Sequence, residues 1–241
     1  MLPAQPNQSL IDGLAVLQAL ASGGQAVGSR QMARELGLEA TRVNRLLKTL
    51  AHLGIAMQTP DKQYVPGPAM HVLAAQAMFG SGLLRRAIGP LEGLAKFNMS
   101  VAMGVLWRDQ VAYLYHATPR SKPADALGRV GLFPATRSGI GLALLATRSD
   151  ADVRATYANH SDIPNFPNGV ESLLKSLSQV RKVGFAVVTP FEAHAETRSI
   201  AVALPDASVA VAFSGTFKPE QHKELVDALN EAVRLIAAST E

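Results

Sequence analysis

The stretch SRQMARELGLEATRVNRLLKTLAHL, Ser29 to Leu53, decides how this chain is read. It divides into two short helices around a tight turn at Gly37-Leu38. The first spans Ser29 to Leu36 and opens on a hydroxyl residue able to cap the free N–H groups at its start. Gly37 then supplies the positive φ that ends it. The second helix, from about Ala40 to His52, sorts its residues by face. At roughly 100° per residue, Val43, Leu46, Leu47, Leu50 and Leu53 share one apolar arc. Thr41, Arg42, Asn44, Arg45, Lys48, Thr49 and His52 fill the other side. That polar side carries three cations and no anion, whereas a merely solvated face mixes charge signs to gain i,i+4 pairs. A helix-turn-helix laying its second helix in a DNA major groove needs this division, with apolar residues to dock it and cations and amides to reach phosphates and bases. The bland alternative is an ordinary amphipathic helix with a basic outer face.

The flanks favour the DNA reading. Gly54 breaks the helix, and extended runs at Ile55–Gln58 and Gln63–Val65 surround a Pro60-Asp61-Lys62 turn. A small hairpin here occupies the place of the wing in a winged helix-turn-helix. The expected DNA-facing set is Ser29, Thr41, Arg42, Asn44, Arg45, Lys48, Lys62 and Tyr64. Arg42, Arg45, Thr41 and Asn44 are expected at base edges, and Lys48 and Lys62 at phosphates. Ser9 is a plausible cap for a preceding helix patterned by Leu10, Ile11, Leu14, Leu17 and Leu20, with Gly23-Gly24 its stop.

Composition narrows the class. The 241 residues are 48% hydrophobic and 17% charged, which describes a globular chain long enough for two modest domains. The formal net charge of +4 permits an anionic partner without requiring one. With no cysteine, disulfides, thiolate catalysis and Cys-ligated zinc are excluded. His52, His71, His116, His160, His194 and His222 include no i,i+3 or i,i+4 pair, so neither a metal site nor a cofactor is expected. No signal peptide and no apolar run near the ~18 residues of a membrane helix appear, and the expected location is the cytoplasm.

Beyond Pro66-Gly67-Pro68 comes the apolar segment Ala69–Phe79, read as an interdomain or subunit contact. A helix from Leu83 to Phe97 holds Gly89-Pro90, where a kink or restart is expected. The runs SVAMGVLW and QVAYLYHA around Arg108-Asp109 read as a hairpin. A short strand then turns at Pro134 into a helix of small residues starting near Arg137. Helices follow at Asp150–Tyr157 and Val170–Val183, then strands GFAVVTP, SIAVALP and SVAVAFS, and a closing helix from Pro219 to Ala238. Strand pairs mixed with packing helices point to an α+β domain on an antiparallel sheet.

These motifs together resemble the IclR family of bacterial transcription regulators over nearly the whole chain. The N-terminal resemblance runs from SLIDGLAVLQALA through LGLEATRVNRLLKTLAHLG to YVPGP. The C-terminal one is more specific and includes RVGLFPATRSGIGLALLA, GFAVV, ETRSIAVALPDASVAVAFSG and KPEQ. The resemblance implies a winged helix-turn-helix at 1–67, a linker helix at 68–82 and a GAF-like effector-binding domain at 83–241. It also implies a homodimer or homotetramer on a palindromic double-stranded DNA operator, with a small organic acid as effector. Carried over by position, the effector set is Ser138, Gly139, Ile140, Thr189, Ser199 and Ser214. Glu192 is the alternative to Thr189 for the acidic position common in relatives. Ala212 replaces a second hydroxyl, and Leu142 stands where relatives usually have lysine. These departures favour a less polar ligand than a keto acid, namely a small, mostly apolar monocarboxylate, aromatic ones included.

No enzyme is expected. Ser199 with His194 and Glu192 lacks a glycine elbow, and GSGLL and GIG lack the lysine and spacing of phosphate loops. Trp107, Tyr113, Leu127 and Phe133 are read as core, and His116 and His160 as surface or loop residues. The competing reading is a small-molecule sensor acting through protein contacts without sequence-specific DNA binding. The unbroken basic face of the second helix argues against it.

Overall fold

The structure, a computed structural model, describes residues 5–120, 123–126, 131–189 and 197–238. The chain divides into two compact units, Met1–Gly82 and Leu83–Glu241. In the first unit, α1 (Gln8–Ser22), α2 (Ser29–Leu36) and α3 (Ala40–His52) close on a core that includes Val16, Leu20, Met32, Val43 and Leu47. Strands β1 (Ala56–Gln58) and β2 (Tyr64–Pro66) pair antiparallel as a wing, and α4 (Ala69–Ser81) follows.

Gly37 ends α2 at φ 64°, and its N–H reaches the last carbonyls of the helix. The expected caps move by one or two residues. Gly28, not Ser29, precedes α2, so Ser29 is its first helical residue; Asn7, not Ser9, caps α1. The inward face of α1 also differs from the leucine pattern. Asp12, Val16 and Leu20 are buried at a four-residue spacing, while Leu10 and Leu14 are exposed. Leu53, just past the end of α3, is exposed as well. In α4 no residue is buried, and Val72, Leu73, Met78 and Phe79 stand in solvent.

The second unit begins with α5 (Leu83–Gly93). Pro90 lies inside it without ending it, and the chain tightens to a 3-10 turn only at Leu94–Phe97. Then come β3 (Ser100–Trp107), β4 (Gln110–Ala117), β5 (Phe133–Pro134), α6 (Gly139–Ala146), α7 (Asp150–Tyr157), α8 (Gly169–Val183), β6 (Ala186–Val188), β7 (Arg198–Ala203), β8 (Ala210–Gly215) and α9 (His222–Ala238). The six C-terminal strands form one antiparallel sheet in the order β5-β4-β3-β8-β7-β6. Trp107, expected in the core, is 44% exposed at the end of the β3–β4 hairpin.

Alternation along the strands gives the sheet two unlike faces. One carries large residues, among them Met103, Ile200, Val211 and Phe213, packed with α5 and α9. The other carries Ala102, Ala201, Ala210 and Ala212, and against these small side chains lie α6 and α8. Every residue of α6 is buried. A Cβ on Gly141 would sit 2.1 Å from the Ala135 carbonyl oxygen, so only glycine permits this approach. Gly141→Ala, despite a helix propensity gain of ~1 kcal/mol, should therefore destabilise the fold by ~1–3 kcal/mol through overpacking against backbone. Urea denaturation should record the loss as a lower midpoint at unchanged slope.

Candidate functional site

On the exposed side of α3 the structure places Thr41, Arg45 and Lys48 in solvent and Asn44 half-buried. The helix starts at Glu39, whose carboxylate accepts the Thr41 N–H at 3.2 Å. Hydrogen bonding from Thr41 is the leading cause holding that carboxyl below its ordinary pKa. Lys62 is exposed in the wing turn, in the left-handed region at φ 59°. Ser29, half-buried, starts α2.

One expected reader is placed differently, and another has an intramolecular partner. Tyr64 does not face outward: it is 1% exposed, in the core with Val16, Leu20 and Leu47. Its backbone pairs with Val27 in both directions, N–H to carbonyl at 3.0 and 2.9 Å, which fixes β2 over the helices. Arg42 is not a free side chain either. Its Nε lies 2.7 Å from Oδ2 of Asp12 on α1. Asp12 stands in line with Val16 and Leu20 on α1, a charge on an apolar spacing that is the signal for it in the sequence.

In the second unit, Ser138 is the cap of α6. Its Oγ accepts the Gly141 N–H at 3.3 Å and lies 3.1 Å from the Tyr113 hydroxyl. The first N–H groups of a helix have no intrahelical acceptor, so those of Gly139 and Ile140 point outward from its positive end. Gly139 sits against β7, where an added Cβ would be 2.8 Å from Ser199 Oγ. Ser199 pairs across the sheet with Ser214, and Ser214 with Ser100. Because Ala201, Ala212 and Ala102 face α6, the serines two residues away share that face. Ser100 is thus a third hydroxyl in the row, missed in the sequence because it opens β3 far from the other two.

Ser138 and Ser199 are buried and Ser214 half-buried. Thr189 is exposed just past β6. Glu192, His194 and Leu127 lie outside the described residues. Tyr113, expected as plain core, joins Phe133 and His116 edge-to-face at ring separations of 5.4 and 6.0 Å. Leu142, in the lysine position of relatives, is buried within α6. The arrangement offers a helix end for one carboxylate, hydroxyls for further hydrogen bonds, and aromatic edges beside them. A cavity of about 230 Å³ beside Tyr115 and Glu92 opens on the other side of the sheet and includes none of these residues. Burial, and then Glu92, raises the Tyr115 pKa. His160, expected as an ordinary loop residue, meets the Asp109 carboxylate at 3.2 Å. Among the described residues no cluster of His, Asp and Glu is placed to hold a metal, and no helix is long and apolar enough to cross a membrane.

Comparison with known proteins gives two family matches. Residues 9–60 match the IclR helix-turn-helix domain, and residues 77–239 match the bacterial transcriptional regulator IclR C-terminal domain. The Pca regulon regulatory protein of Pseudomonas putida is 29% identical over 206 residues, covering 83% of this chain and 70% of that protein. Among solved structures, an IclR family transcriptional regulator from Brucella abortus aligns with TM-score 0.76 at 21% identity, over 98% of this chain and 94% of its own. An IclR homologue from Microbacterium hydrocarbonoxydans, complexed with 4-hydroxybenzoate, aligns with TM-score 0.66 at 20% identity, over 95% of this chain and 98% of its own.

The cap geometry can be tested without ligand. Ser138→Ala should cost ~1 kcal/mol of stability, the ordinary loss for a removed N-cap. Tyr113→Phe should cost ~0.5–1.5 kcal/mol, the net worth of one hydrogen bond. Since the two hydroxyls share one contact, the double variant should lose less than the sum, as measured by chemical denaturation.

Proposed function

Because the chain belongs to the IclR family of bacterial transcriptional regulators, we propose that it controls, as repressor or activator, an operon for aromatic-acid catabolism. Residues 1–67 serve as the DNA-binding domain, 68–82 as the linker helix and 83–241 as the effector-binding domain. Arg42, Arg45, Thr41 and Asn44 read base edges, with Lys48 and Lys62 on phosphates and Ser29 at the backbone. The effector is a small, mostly apolar monocarboxylate held by Gly139 and Ile140 N–H groups, Ser138, Ser199 and Ser214, with Thr189 at the rim. One observation carries this reading: the start of α6 at Gly139 lies against Ser199, which pairs with Ser214, with no basic side chain among those residues to fix a second charge. The Pca regulon regulator and the 4-hydroxybenzoate complex among the relatives support an aromatic acid. The protein acts in the cytoplasm.

Isothermal calorimetry with 4-hydroxybenzoate and a series of aromatic monocarboxylates should find a binder, and the matching dicarboxylate should bind worse. Losing one buried hydrogen bond to a charged ligand oxygen should weaken binding roughly 10- to 100-fold in Ser199→Ala. The same variant should bind duplex DNA from its own upstream region as the unmodified protein does. Wild-type ligand affinity in both Ser199→Ala and Ser214→Ala would place the pocket elsewhere.

The exposed apolar residues Leu10 and Leu14 on α1, with Val72, Leu73, Met78 and Phe79 on α4, support a homodimer closed through these two helices. A two-fold dimer in turn requires a palindromic operator. Sedimentation should give a dimer at micromolar concentration, shifted toward monomer by Leu73→Glu with Phe79→Glu. A folded wild-type monomer under those conditions would refute the interface.

A further inference from the structure

Asp12 is the single charged residue buried among the described residues, at 3% exposure. It occupies the place in α1 that an apolar residue would take, one turn before Val16 and two before Leu20. One of its carboxylate oxygens is hydrogen-bonded, while the other is buried without a hydrogen-bond partner and meets Arg42 as an ion pair only. Gln8 Nε2 donates to Oδ1 at 2.7 Å from one turn earlier in α1, and Arg42 Nε lies 2.7 Å from Oδ2. Arg42 is the third residue of α3, in the first turn, with its side chain 32% exposed. Its Nε end is therefore tethered by charge rather than by a directed hydrogen bond, while the side chain still reaches solvent.

We propose that Asp12 is a specificity-determining positioning residue, which restrains Arg42 by an ion pair at Nε and so favours donation from its two terminal nitrogens to a guanine edge in the operator. This rests on α3 being the reading helix, as argued above. Arginine recognises guanine by two parallel N–H donations to O6 and N7, a contact needing one orientation of the planar group. A free arginine reaches that orientation only by losing side-chain freedom on binding, and it pairs as readily with any phosphate. An ion pair at Nε, on a carboxylate anchored by Gln8, lessens both difficulties. The Asp12 charge also offsets that of Arg42, so indiscriminate attraction to the DNA backbone falls while the directed contact is kept. The observed device thus acts on selectivity more than on total affinity.

The test is selection of binding sites from a random duplex pool by the full-length protein, then competition between the selected site and a mixed-sequence duplex at fixed salt. The unmodified protein should select a guanine at one column of each half-site, and Arg42→Ala should lose that column. Asp12→Asn should blur the same column. Its preference for the selected site over the mixed duplex should fall about 3- to 10-fold, the scale of one side chain that must be ordered on binding. Asp12→Leu, which continues the apolar stripe and keeps the fold should asparagine weaken it, should do the same. A purely structural role would lower affinity for both duplexes in proportion and leave the column sharp; that result overturns the inference. If Arg42→Ala itself leaves every column unchanged, the placement of Arg42 in the groove fails first.

Discussion

The close approach of α6 to the sheet is the constraint on which the C-terminal unit depends. Alanines at 102, 201, 210 and 212 give the sheet a shallow face, and Gly139 and Gly141 remove the side chains that would hold the helix away. Burial of Ile140, Leu142, Leu144 and Leu145 then contributes on the order of 1.5–3 kcal/mol per side chain, the ordinary return for a fully buried aliphatic. The same approach has a polar consequence. It lowers the start of the helix onto Ser199, so that the first turn of α6 and the hydroxyls of Ser138 and Ser199 meet in a buried setting, where polar interactions are stronger than in water.

The opposite face of the sheet does different work. Phe213 packs against Phe97 with tilted rings 5.0 Å apart, and Met103, Ile200 and Val211 fill the space under α5 and α9. Large interlocked side chains on one side hold the strands in register. The register in turn lines up Ser100, Ser214 and Ser199 on the other side. The hydroxyl row is thus set by packing that the serines themselves take no part in.

Much of this was legible in the sequence wherever a period ran long enough to be read. The α2 and α3 bounds, the wing, the β3–β4 hairpin and the closing helix follow from glycine stops and apolar spacing. Sidedness was harder. A three-residue strand such as β2 has no usable period, and Tyr64, expected outward, lies in the core, its backbone paired with Val27. Helix α1 carries two apolar stripes, and the more conspicuous leucines at 10 and 14 are the exposed ones. At the candidate effector site, Ser138, Gly139, Ser199 and Ser214 were readable from the family pattern. Tyr113 and Ser100 were not, because strand register, rather than any local motif, brings them to that face.

Energetics sharpen the meaning of the Asp12–Arg42 pair. Taking a carboxylate to 4% side-chain exposure carries a desolvation cost that an ion pair offsets only partly, and a well-packed apolar residue in such a place is often as stable or more so. The first unit is small, and Val16 and Leu20 already continue the stripe that Asp12 interrupts. Stability alone would favour a leucine there. What the carboxylate supplies that leucine does not is a charge, braced by Gln8, that restrains a half-buried cation in the first turn of α3. The cost is carried within the fold, and the gain is realised outside it, at whatever the first turn of α3 meets.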